Sequence, residues 1–447
     1  MNQYLKDIIK ISWPIIIGQL GMILTGFFDT LMVGKLGTAE LASAGVSNSI
    51  FFFIAIFPLG VTMAYATIIS ILQGKNKTTS YSLLARDSFL ITMLLAIIGS
   101  ICIYFIIDFF YLFQQTDEVT LLSKPYLKLL MWSLSPMLVF FFAKNVTDGF
   151  SYTLGGMTIT LTALGINVFL NWVLIFGHFG FDAYGLNGAG YATIISRIFL
   201  AVAMVLTMLF SSKVPIDFGS FLRSFSASYR ITFFKRIIIL GFPTGLQYFF
   251  EIAAFAAAAI MAGWLGAKEL AAHNLAITLA SLTYMFASGV SAGASICVAK
   301  AHGNSNNRDV IEYGKKGHYI GFITMILFAL IFLLFNKNLA ALFSEDPEVI
   351  YIGSQLLILA AIFQLGDGIQ AVSVGLLRGI SDVNIPGILV FVAYWIFAMP
   401  AGYFLANYNI GTPYIQGVNG IWVGLSIGLT ISAVVLTYRF YYLLRTQ

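Results

Sequence analysis

Long runs of apolar residues, separated by short polar or glycine- and proline-containing breaks, occupy nearly the whole chain. Because ~20 apolar residues let a helix cross the ~30 Å hydrocarbon layer of a bilayer, each run predicts a transmembrane helix. The runs are continuous rather than alternating, which disfavours a β-barrel. Twelve spans are predicted, near residues 9–33, 44–72, 88–112, 121–142, 157–177, 188–210, 236–263, 271–299, 317–336, 349–376, 385–406 and 418–443.

Composition supports this interpretation. Hydrophobic residues make up 59% of the chain and charged residues only 10%, whereas an ordinary soluble domain carries about 25% charged residues. A chain this poor in charge lacks the polar surface to cover a globule in water. The predicted fold class is therefore an all-α polytopic membrane protein.

The chain contains an internal repeat. MVGKLGTAELA (32–42) returns as MAGWLGAKELA (261–271), 229 residues later and with seven of eleven positions identical. Pro14 and Pro243 share this offset. Near the end of each half, GLNG (185–188) returns as GVNG (417–420), 232 residues later. Spans one to six therefore repeat as spans seven to twelve in the same membrane orientation, which is a parallel transporter-type repeat.

The longest polar break, residues 211–230, lies between the sixth and seventh spans. We therefore predict two pseudo-symmetric six-helix lobes, an N-terminal lobe at 1–210 and a C-terminal lobe at 236–447. A cytoplasmic linker at 211–235 is expected to join them.

The distribution of Lys and Arg predicts the orientation. With the N-terminus inside, eighteen of these residues lie in cytoplasmic segments and four in outer segments, as the positive-inside rule requires. Both termini are expected to face the cytoplasm, in a multi-pass protein of the cell inner membrane. Topology and anionic lipid then account for the net charge of +5, and no nucleic-acid partner is expected.

Three carboxylates stand out within the predicted spans: Asp29, Glu251 and Asp367. An ionisable group at membrane depth costs at least ~2.5–3.5 kcal/mol, so it usually marks a pathway or coupling site. Glu251 and Asp367 fall near mid-membrane in the same half and can line one cavity, whereas Asp29 lies toward the outer end. Packing devices, protonated or paired with a basic residue, are the alternative.

Polar residues surround Asp29 in the predicted N-terminal lobe. Asn167 and Asn171 share a helix face, as do Ala189 and Thr193, because each pair is spaced i,i+4. Their oxygens and the carboxylate suit a small hard cation such as sodium; simple interhelical hydrogen bonding is the open alternative. Of the nearby basic residues, Arg197 lies deeper and Lys128 can extend to the outer surface.

Further candidates accompany the acids of the second half. Phe363 lies four residues before Asp367, so an aromatic face beside the acid can attract an organic cation. His273 lies near an outer helix end, where most histidines only form hydrogen bonds. The sequence has no nucleotide-binding loop and no Cys/His metal cluster, so an enzyme or an ATP-driven transporter is not expected.

Seven stretches together resemble the multidrug and toxic compound extrusion (MATE) family, in its NorM-like branch. They run in order along the chain: GFFDTLMVG (26–34), SPMLVFFFAKNVTDGFSY (135–152), NVFLNWVLIFGHFG (167–180), LGFPTGLQYFFE (240–251), AAHNLAI (271–277), AIFQLGDGIQ (361–370) and GLLRGISD (375–382). The resemblance implies twelve helices in two lobes. It also implies an antiporter that exports cationic amphipathic drugs in exchange for Na⁺ or H⁺, with no other cofactor.

The resemblance also implies site residues. Glu251 and Asp367 match acids implicated in coupling-ion and substrate binding, and Gln247 and Phe363 are assigned to the same C-lobe site. In the N-lobe, Asp29, Asn171 and Thr193 match the cation-binding group. NorM relatives can carry tyrosine where this chain has Phe363, which leaves open whether sodium binds there or elsewhere, or whether protons are the coupling ion.

Other functions remain open at the level of sequence. A lipid-linked oligosaccharide flippase of the same superfamily is the nearest alternative, although its anionic cargo would favour a basic cavity. A channel or receptor fits an asymmetric set of buried acids less well than a coupled carrier does. We expect a monomer whose partners are small cationic amphipathic molecules and membrane lipid.

Overall fold

The computed structural model describes residues 3–226, 232–408 and 415–445. These residues form twelve helices long and apolar enough to cross a membrane, which confirms the all-helical prediction. The helices are α1 Gln3–Val33, α2 Thr38–Gly74, α3 Tyr81–Asp108, α4 Asp117–Gly149, α5 Leu154–Phe176, α6 Gly185–Phe210, α7 Phe234–Leu265, α8 Ala267–Gly303, α9 Asn307–Ala341, α10 Pro347–Gly379, α11 Asn384–Asn407 and α12 Val418–Arg445.

The two copies of the repeated motif form the same helix–turn–helix. Gly37 precedes α2 and Gly266 precedes α8. A Cβ atom at either glycine would collide with the carboxylate of the glutamate three residues later, Glu40 or Glu269. In both copies the glutamate side chain therefore folds back against the glycine, so this contact is shared by the two copies.

By its internal contacts the chain divides into two compact units. One unit, which we call the N-unit, contains Ile17–Gly245. The other, the C-unit, contains Leu246–Gln447 together with Met1–Ile16. The boundaries thus lie inside α1 and α7, two residues after Pro14 and Pro243, and differ from the predicted lobe limits at 210 and 236.

Residues 1–16 of α1 thus belong to the C-unit, and the first part of α7, up to Gly245, belongs to the N-unit. We call these two stretches the exchanged segments, and close backbone packing holds each of them in its unit. In the N-unit, a Cβ atom on Gly60 of α2 would lie 2.7 Å from the Cα atom of Gly245 in α7. In the C-unit, a Cβ atom on Gly289 of α8 would lie 3.2 Å from the backbone nitrogen of Ile16 in α1. Gly60 and Gly289 are related by the offset of 229, and so are Ile16 and Gly245. The same contact is therefore made once in each unit.

Polar contacts also attach the first turns of α1 to the C-unit. The Tyr4 hydroxyl donates to Asp309 Oδ1 at 2.9 Å, and the Tyr313 hydroxyl donates to Asp7 Oδ2 at 2.8 Å. The two tyrosine rings meet edge to face, with centroids 4.9 Å apart. The start of α1 is thus joined to the start of α9 by two reciprocal tyrosine–aspartate bonds.

The described part of the predicted linker, residues 211–235, belongs to the N-unit. It contains the short helix Phe218–Arg223. Asp87 of α3 accepts hydrogen bonds from the backbone nitrogens of Thr232 at 3.0 Å and Phe233 at 2.7 Å. Residues 227–231 of this linker lie outside the described residues.

Helix α11 is interrupted by a π-helical segment at Val392–Ala398. Pro400 lies two residues after this segment and has no N–H group to donate to the preceding turn. Such π segments are rare and occur frequently at functional sites. This one contains Tyr394, a fully buried residue, and therefore sets the direction in which Tyr394 points.

Candidate functional sites: two buried acid clusters

The first acid cluster lies in the C-unit, where three helices meet around Glu251 of α7. Its Oε1 atom accepts a hydrogen bond from Gln370 Nε2 of α10 at 2.9 Å. The hydroxyl of Tyr394 in α11 also donates to this oxygen, at 3.4 Å. Glu251 is only 7% exposed, so one carboxylate oxygen is oriented by neutral donors from two neighbouring helices.

Asp367 belongs to the same cluster but has a different environment. It is 5% exposed and lies one helical turn before Gln370 on α10. Among the described residues, no group donates a hydrogen bond to its carboxyl and none forms an ion pair with it, although it interacts electrostatically with Glu251. Within the described part of the chain neither acid takes part in an ion pair, and two buried carboxylates without one attract a cation.

A small cavity lies beside Glu251, with room for roughly one water molecule. Its walls include the predicted Gln247 as well as two tyrosines, and it therefore combines an acid, amides and aromatic rings. The lining residues are Gln247, Tyr248, Glu251, Tyr284, Gln370, Ala371 and Val374. Neither Phe363 nor Asp367 lines this cavity.

Several buried polar atoms of α10 make no hydrogen bond within the described part of the chain. They are Gln370 Oε1 and both amide atoms of Gln364. Gln364 is 1% exposed and lies one turn before Asp367. Because buried polar groups are normally paired, these atoms are available to water, to a cation or to a polar group of a substrate. The oxygens among them fit a hard cation.

Phe363 lies in an aromatic cluster rather than at the edge of an open cavity. Its ring centroid is 5.4 Å from that of Trp422 and 6.1 Å from that of Phe255, which in turn is 5.8 Å from Tyr394. Each pair is edge to face. Phe363 therefore supports Tyr394 and the Glu251 site through packing.

His273 is fully buried at the other side of this aromatic cluster. Its Nδ1 accepts a hydrogen bond from Trp422 Nε1 at 3.2 Å. Because Nδ1 accepts, a neutral ring carries its proton on Nε2. Within the described residues, His273 is thus a hydrogen-bonded packing residue, as expected for most histidines near a helix end.

The second acid cluster lies in the N-unit around Asp29 of α1. Asn171 Nδ2 of α5 donates to Asp29 Oδ1 and also, at 3.1 Å, to Asn167 Oδ1. Both asparagines are almost completely buried, at 1% and 0% exposed, whereas Asp29 is half-buried. The structure therefore brings three of the predicted residues together.

The remaining predicted residues of this cluster have other contacts. Thr193 donates within α6 to the carbonyl of Ala189 at 2.9 Å. Arg197 donates to Ser133 Oγ at 2.5 Å and lies 4.6 Å from the ring centroid of Phe51. Arg197 interacts electrostatically with Asp29 without an ion pair among the described residues. Lys128 is exposed.

Sequence reasoning missed Gln364, Gln370 and Tyr394. The two glutamines had a usable signal, since each is a polar residue three positions from Asp367 within an apolar run. Tyr394 had none, because aromatic residues make up 15% of the chain. Only the π-helical backbone distinguishes it from its neighbours.

Comparison with known proteins decides the family. A family model described as MatE matches residues 14–173 and again residues 243–404. The chain belongs to the MatE family. The two matches begin at Pro14 and Pro243, 229 positions apart, which is the offset of the internal repeat. Because it belongs to this family and has twelve candidate transmembrane helices among its described residues, this MatE protein is a multi-pass membrane protein.

Curated relatives support the NorM-like branch predicted above. The chain is 31% identical over 439 residues to a probable multidrug resistance protein NorM of Halalkalibacterium halodurans, covering 97% of this chain and 93% of the relative. It is 29% identical over 434 residues to a protein of the same name from Pasteurella multocida, with the same two coverages.

Solved structures show the same fold. The eukaryotic MATE transporter AtDTX14 superposes with a TM-score of 0.85 at 21% identity, covering 99% of this chain and 98% of that one. An outward-facing MATE family transporter gives a TM-score of 0.88 at 20% identity, over 100% and 97% of the two chains.

Proposed function

We propose that this protein is a secondary active antiporter that exports cationic amphipathic compounds in exchange for Na⁺ or H⁺ by alternating access. The observation that carries the proposal is the pair Glu251 and Asp367. Both acids are buried, they influence each other electrostatically, and no basic residue among the described ones pairs with either. Such a pair favours a cationic cargo.

The surroundings of the acids fit an amphipathic cation. Tyr248 and Tyr284 line the cavity beside Glu251, and aromatic faces attract organic cations. The amides of Gln364 and Gln370 offer unpaired polar atoms beside Asp367. The names of the curated relatives, probable multidrug resistance proteins, support the same class of cargo.

The proposed coupling is competition for one site. A lipophilic cation binds against the ionised carboxylates of Glu251 and Asp367. A proton or a sodium ion that arrives from the opposite side then neutralises the pair. Two cations that share a site of low dielectric constant repel strongly, so the arrival of one releases the other. Asp29, with Asn167 and Asn171, is a second position at which the coupling ion can bind.

The proposed orientation places both termini in the cytoplasm, since eighteen Lys and Arg residues lie on that side against four on the other. Export then means movement away from the face that carries the N-terminus. The coupling ion moves in the opposite direction, down its gradient across the cell inner membrane.

The deciding experiment is ethidium transport in proteoliposomes under an imposed proton gradient or an imposed sodium gradient, for wild type and Glu251→Gln. We expect one gradient to drive transport and Glu251→Gln to reduce the rate at least tenfold. Glu345→Gln is the matched control, because Glu345 is an exposed carboxylate outside the helices. It is expected to retain the wild-type rate.

Two other results would contradict the proposed function. Transport that needs neither gradient contradicts coupling and favours a channel. No ethidium movement under either gradient contradicts the drug-export function for this cation, and the same vesicles would then be tested with a fluorescent lipid-linked oligosaccharide.

A further inference from the structure

A second buried polar cluster lies in the C-unit, where α9, α10 and α12 meet. His318 Nε2 is 2.8 Å from Ser373 Oγ, and Ser373 Oγ is 2.9 Å from Thr437 Oγ1. On the other side of the ring, His318 Nδ1 is 3.1 Å from the carbonyl oxygen of Gly314 and 3.3 Å from the hydroxyl of Tyr441. Four polar side chains from three helices thus form one continuous network.

The hydrogen-bond directions follow from the partners. The Gly314 carbonyl can only accept, so neutral His318 carries its proton on Nδ1. Nε2 then accepts from Ser373, and Ser373 accepts in turn from Thr437. Every side chain in the network can both give and take a proton, which distinguishes it from the asparagine cluster around Asp29.

The network begins close to the Glu251 site. Ser373 lies one turn after Gln370 on α10, about 4.5 Å along the helix axis, and Gln370 donates to Glu251 at 2.9 Å. Ser373 is fully buried. The cavity that touches Glu251 and Gln370 extends to Val374, the residue next to Ser373. Ser373 itself does not line this cavity, so a proton transfer between Glu251 and Ser373 needs one bridging water molecule, for which the cavity has room.

The network ends close to the membrane face that carries the N-terminus. Tyr441 is half-buried and interacts electrostatically with Glu312, whose side chain is 29% exposed. Glu312 lies in the second turn of α9, the helix whose first turns contact Tyr4 and Asp7 of α1. The network therefore leads from a buried acid to a carboxylate within reach of water.

The other half of the repeat lacks this network. The family matches begin 229 positions apart, the ends of α4 and α10 are 230 apart, and GLNG and GVNG are 232 apart, so the nearest of these offsets is applied to each helix. The positions equivalent to His318, Ser373, Thr437 and Tyr441 are then Phe89, Ala143, Val205 and Leu209, all of them apolar. The polar network is therefore present in the second half alone. The first half packs the equivalent helices without it, so a role beyond packing is indicated.

We propose that Ser373, His318 and Tyr441, with Thr437 orienting the Ser373 hydroxyl, form a relay that releases the coupling proton from the Glu251 site to the face that carries the N-terminus. This inference rests on the proposed function in its proton-coupled form. The O–H bond of protonated Glu251 breaks and its proton moves through the bridging water to Ser373. The hydroxyl of Ser373 passes a proton to Nε2 of His318, where a new N–H bond forms.

The outward step uses the other ring nitrogen. His318 then carries protons on both nitrogens and loses the one on Nδ1 through the hydroxyl of Tyr441 to water near Glu312. Proton number is conserved, since one proton enters at Nε2 and one leaves at Nδ1. The ring is then the neutral tautomer with its proton on Nε2, and a tautomer exchange through water restores the proton on Nδ1.

Several charged groups lie on the neighbouring helices, but none of the ion pairs among the described residues includes His318. Glu312 is paired with Lys315 at 2.9 Å, and Arg439 is paired with Asp382 at 2.6 Å. Further titratable or charged groups toward this face include Lys300 and His302 of α8, Arg308, Asp309, Tyr313 and Lys316 of α9, Arg378 of α10 and Arg445 of α12.

The test compares proton-driven ethidium transport with equilibrium ethidium binding for His318→Gln and Tyr441→Phe. We expect a transport rate at least tenfold lower for His318→Gln and several-fold lower for Tyr441→Phe. Both should keep an ethidium Kd within twofold of wild type, since neither residue contacts Glu251. Tyr438→Phe is the control, because Tyr438 is 69% exposed on the same helix.

A purely structural role would not move the pH profile, so rates are also measured while the pH on the N-terminal face is varied. We expect the wild-type rate to depend on that pH and the His318→Gln rate to lose this dependence. Wild-type profiles and rates in both variants would overturn the relay. If wild type itself shows no proton-driven transport, the proton-coupled form of the proposed function fails, and the relay fails with it.

If His318→Gln does not fold, the transport rate and ethidium binding of Ser373→Ala and Thr437→Val are measured to test the relay instead. A lowered transport rate with unchanged ethidium binding in Ser373→Ala supports the relay. Unchanged rates in both of these variants contradict it.

Discussion

The carboxyl group of Glu251 is held by donors that reach it from two other helices, and this arrangement determines what the site can do. Gln370 and Tyr394 both donate to Oε1, while the second carboxylate oxygen receives no hydrogen bond among the described residues. One oxygen is therefore fixed and the other is available. An incoming proton or cation meets an acceptor whose direction is already set.

At this scale Tyr394→Phe is the most informative change, because it removes one donor and keeps the ring. Interhelical hydrogen bonds in membranes are worth on average ~0.6 kcal/mol and at most ~1.7. A loss of this size lowers the rate of gradient-driven ethidium transport by roughly threefold to twentyfold. The measurement is the initial rate in proteoliposomes.

Tyr403→Phe is the matched control, since Tyr403 lies in the same helix and is 49% exposed. A rate for Tyr394→Phe equal to that of Tyr403→Phe would show that the hydroxyl does not orient Glu251 during transport.

Individual helices show where a sequence pattern succeeds and where it stops. Apolar runs identified all twelve helices, because length and hydropathy are properties of the chain itself. Helix ends were less accurate. α9 was predicted to begin at residue 317 and begins at Asn307, because its first turns are polar and extend beyond the apolar run. His318 consequently lies eleven residues inside the helix instead of at its edge.

Close helix contacts give a prediction for α8. A methyl group at Gly289 would press against the backbone nitrogen of Ile16 at 3.2 Å and its Cα at 3.3 Å. Overpacking of this kind costs about 1–3 kcal/mol, so Gly289→Ala should lower the midpoint of thermal unfolding in detergent.

Gly165→Ala is the control for that change. It is also a glycine inside a helix, but nothing lies within 4 Å of the added methyl group. Replacing a mid-helix glycine by alanine stabilises by roughly 0.5–1 kcal/mol, so this variant should unfold at the same or a higher temperature. Equal shifts in both variants would contradict the packing explanation.

For the whole molecule, the main finding beyond the sequence is how the chain divides. The repeat predicted two halves and the family matches reproduce its offset, but the compact units exchange the first segments of α1 and α7. The polar residues near the start of α1, such as Lys6 and Asp7, indicate a helix end at the membrane surface but not the unit to which residues 1–16 belong. Pro14 and Pro243 mark the region, yet a proline alone does not show to which unit the preceding turns belong.

This division predicts the behaviour of a split protein. Fragments 1–226 and 232–447, co-expressed, should copurify and fold, because Met1–Ile16 is supplied to the C-unit and residues 234–245 are supplied to the N-unit. Fragment 232–447 expressed alone lacks the segment that contacts Gly289, Asp309 and Tyr313. It is expected to aggregate or be degraded, as measured by fluorescence-detected size-exclusion chromatography.

Adding residues 1–16 as a separate peptide is the matched control for that fragment. A fragment 232–447 that is stable and monodisperse without the peptide would show that the exchanged segment is dispensable.

The exchange of first segments has an evolutionary consequence. If the two repeats descend from one half-length gene, the ancestral product could not have closed its own unit, because its first sixteen residues belonged to the other copy. Such a protein would have been an obligate dimer of the segment-swapped kind. Fusion of two copies then turned an intermolecular exchange into an intramolecular one. After fusion each half could diverge freely, and only then could acids and a histidine accumulate in a single half.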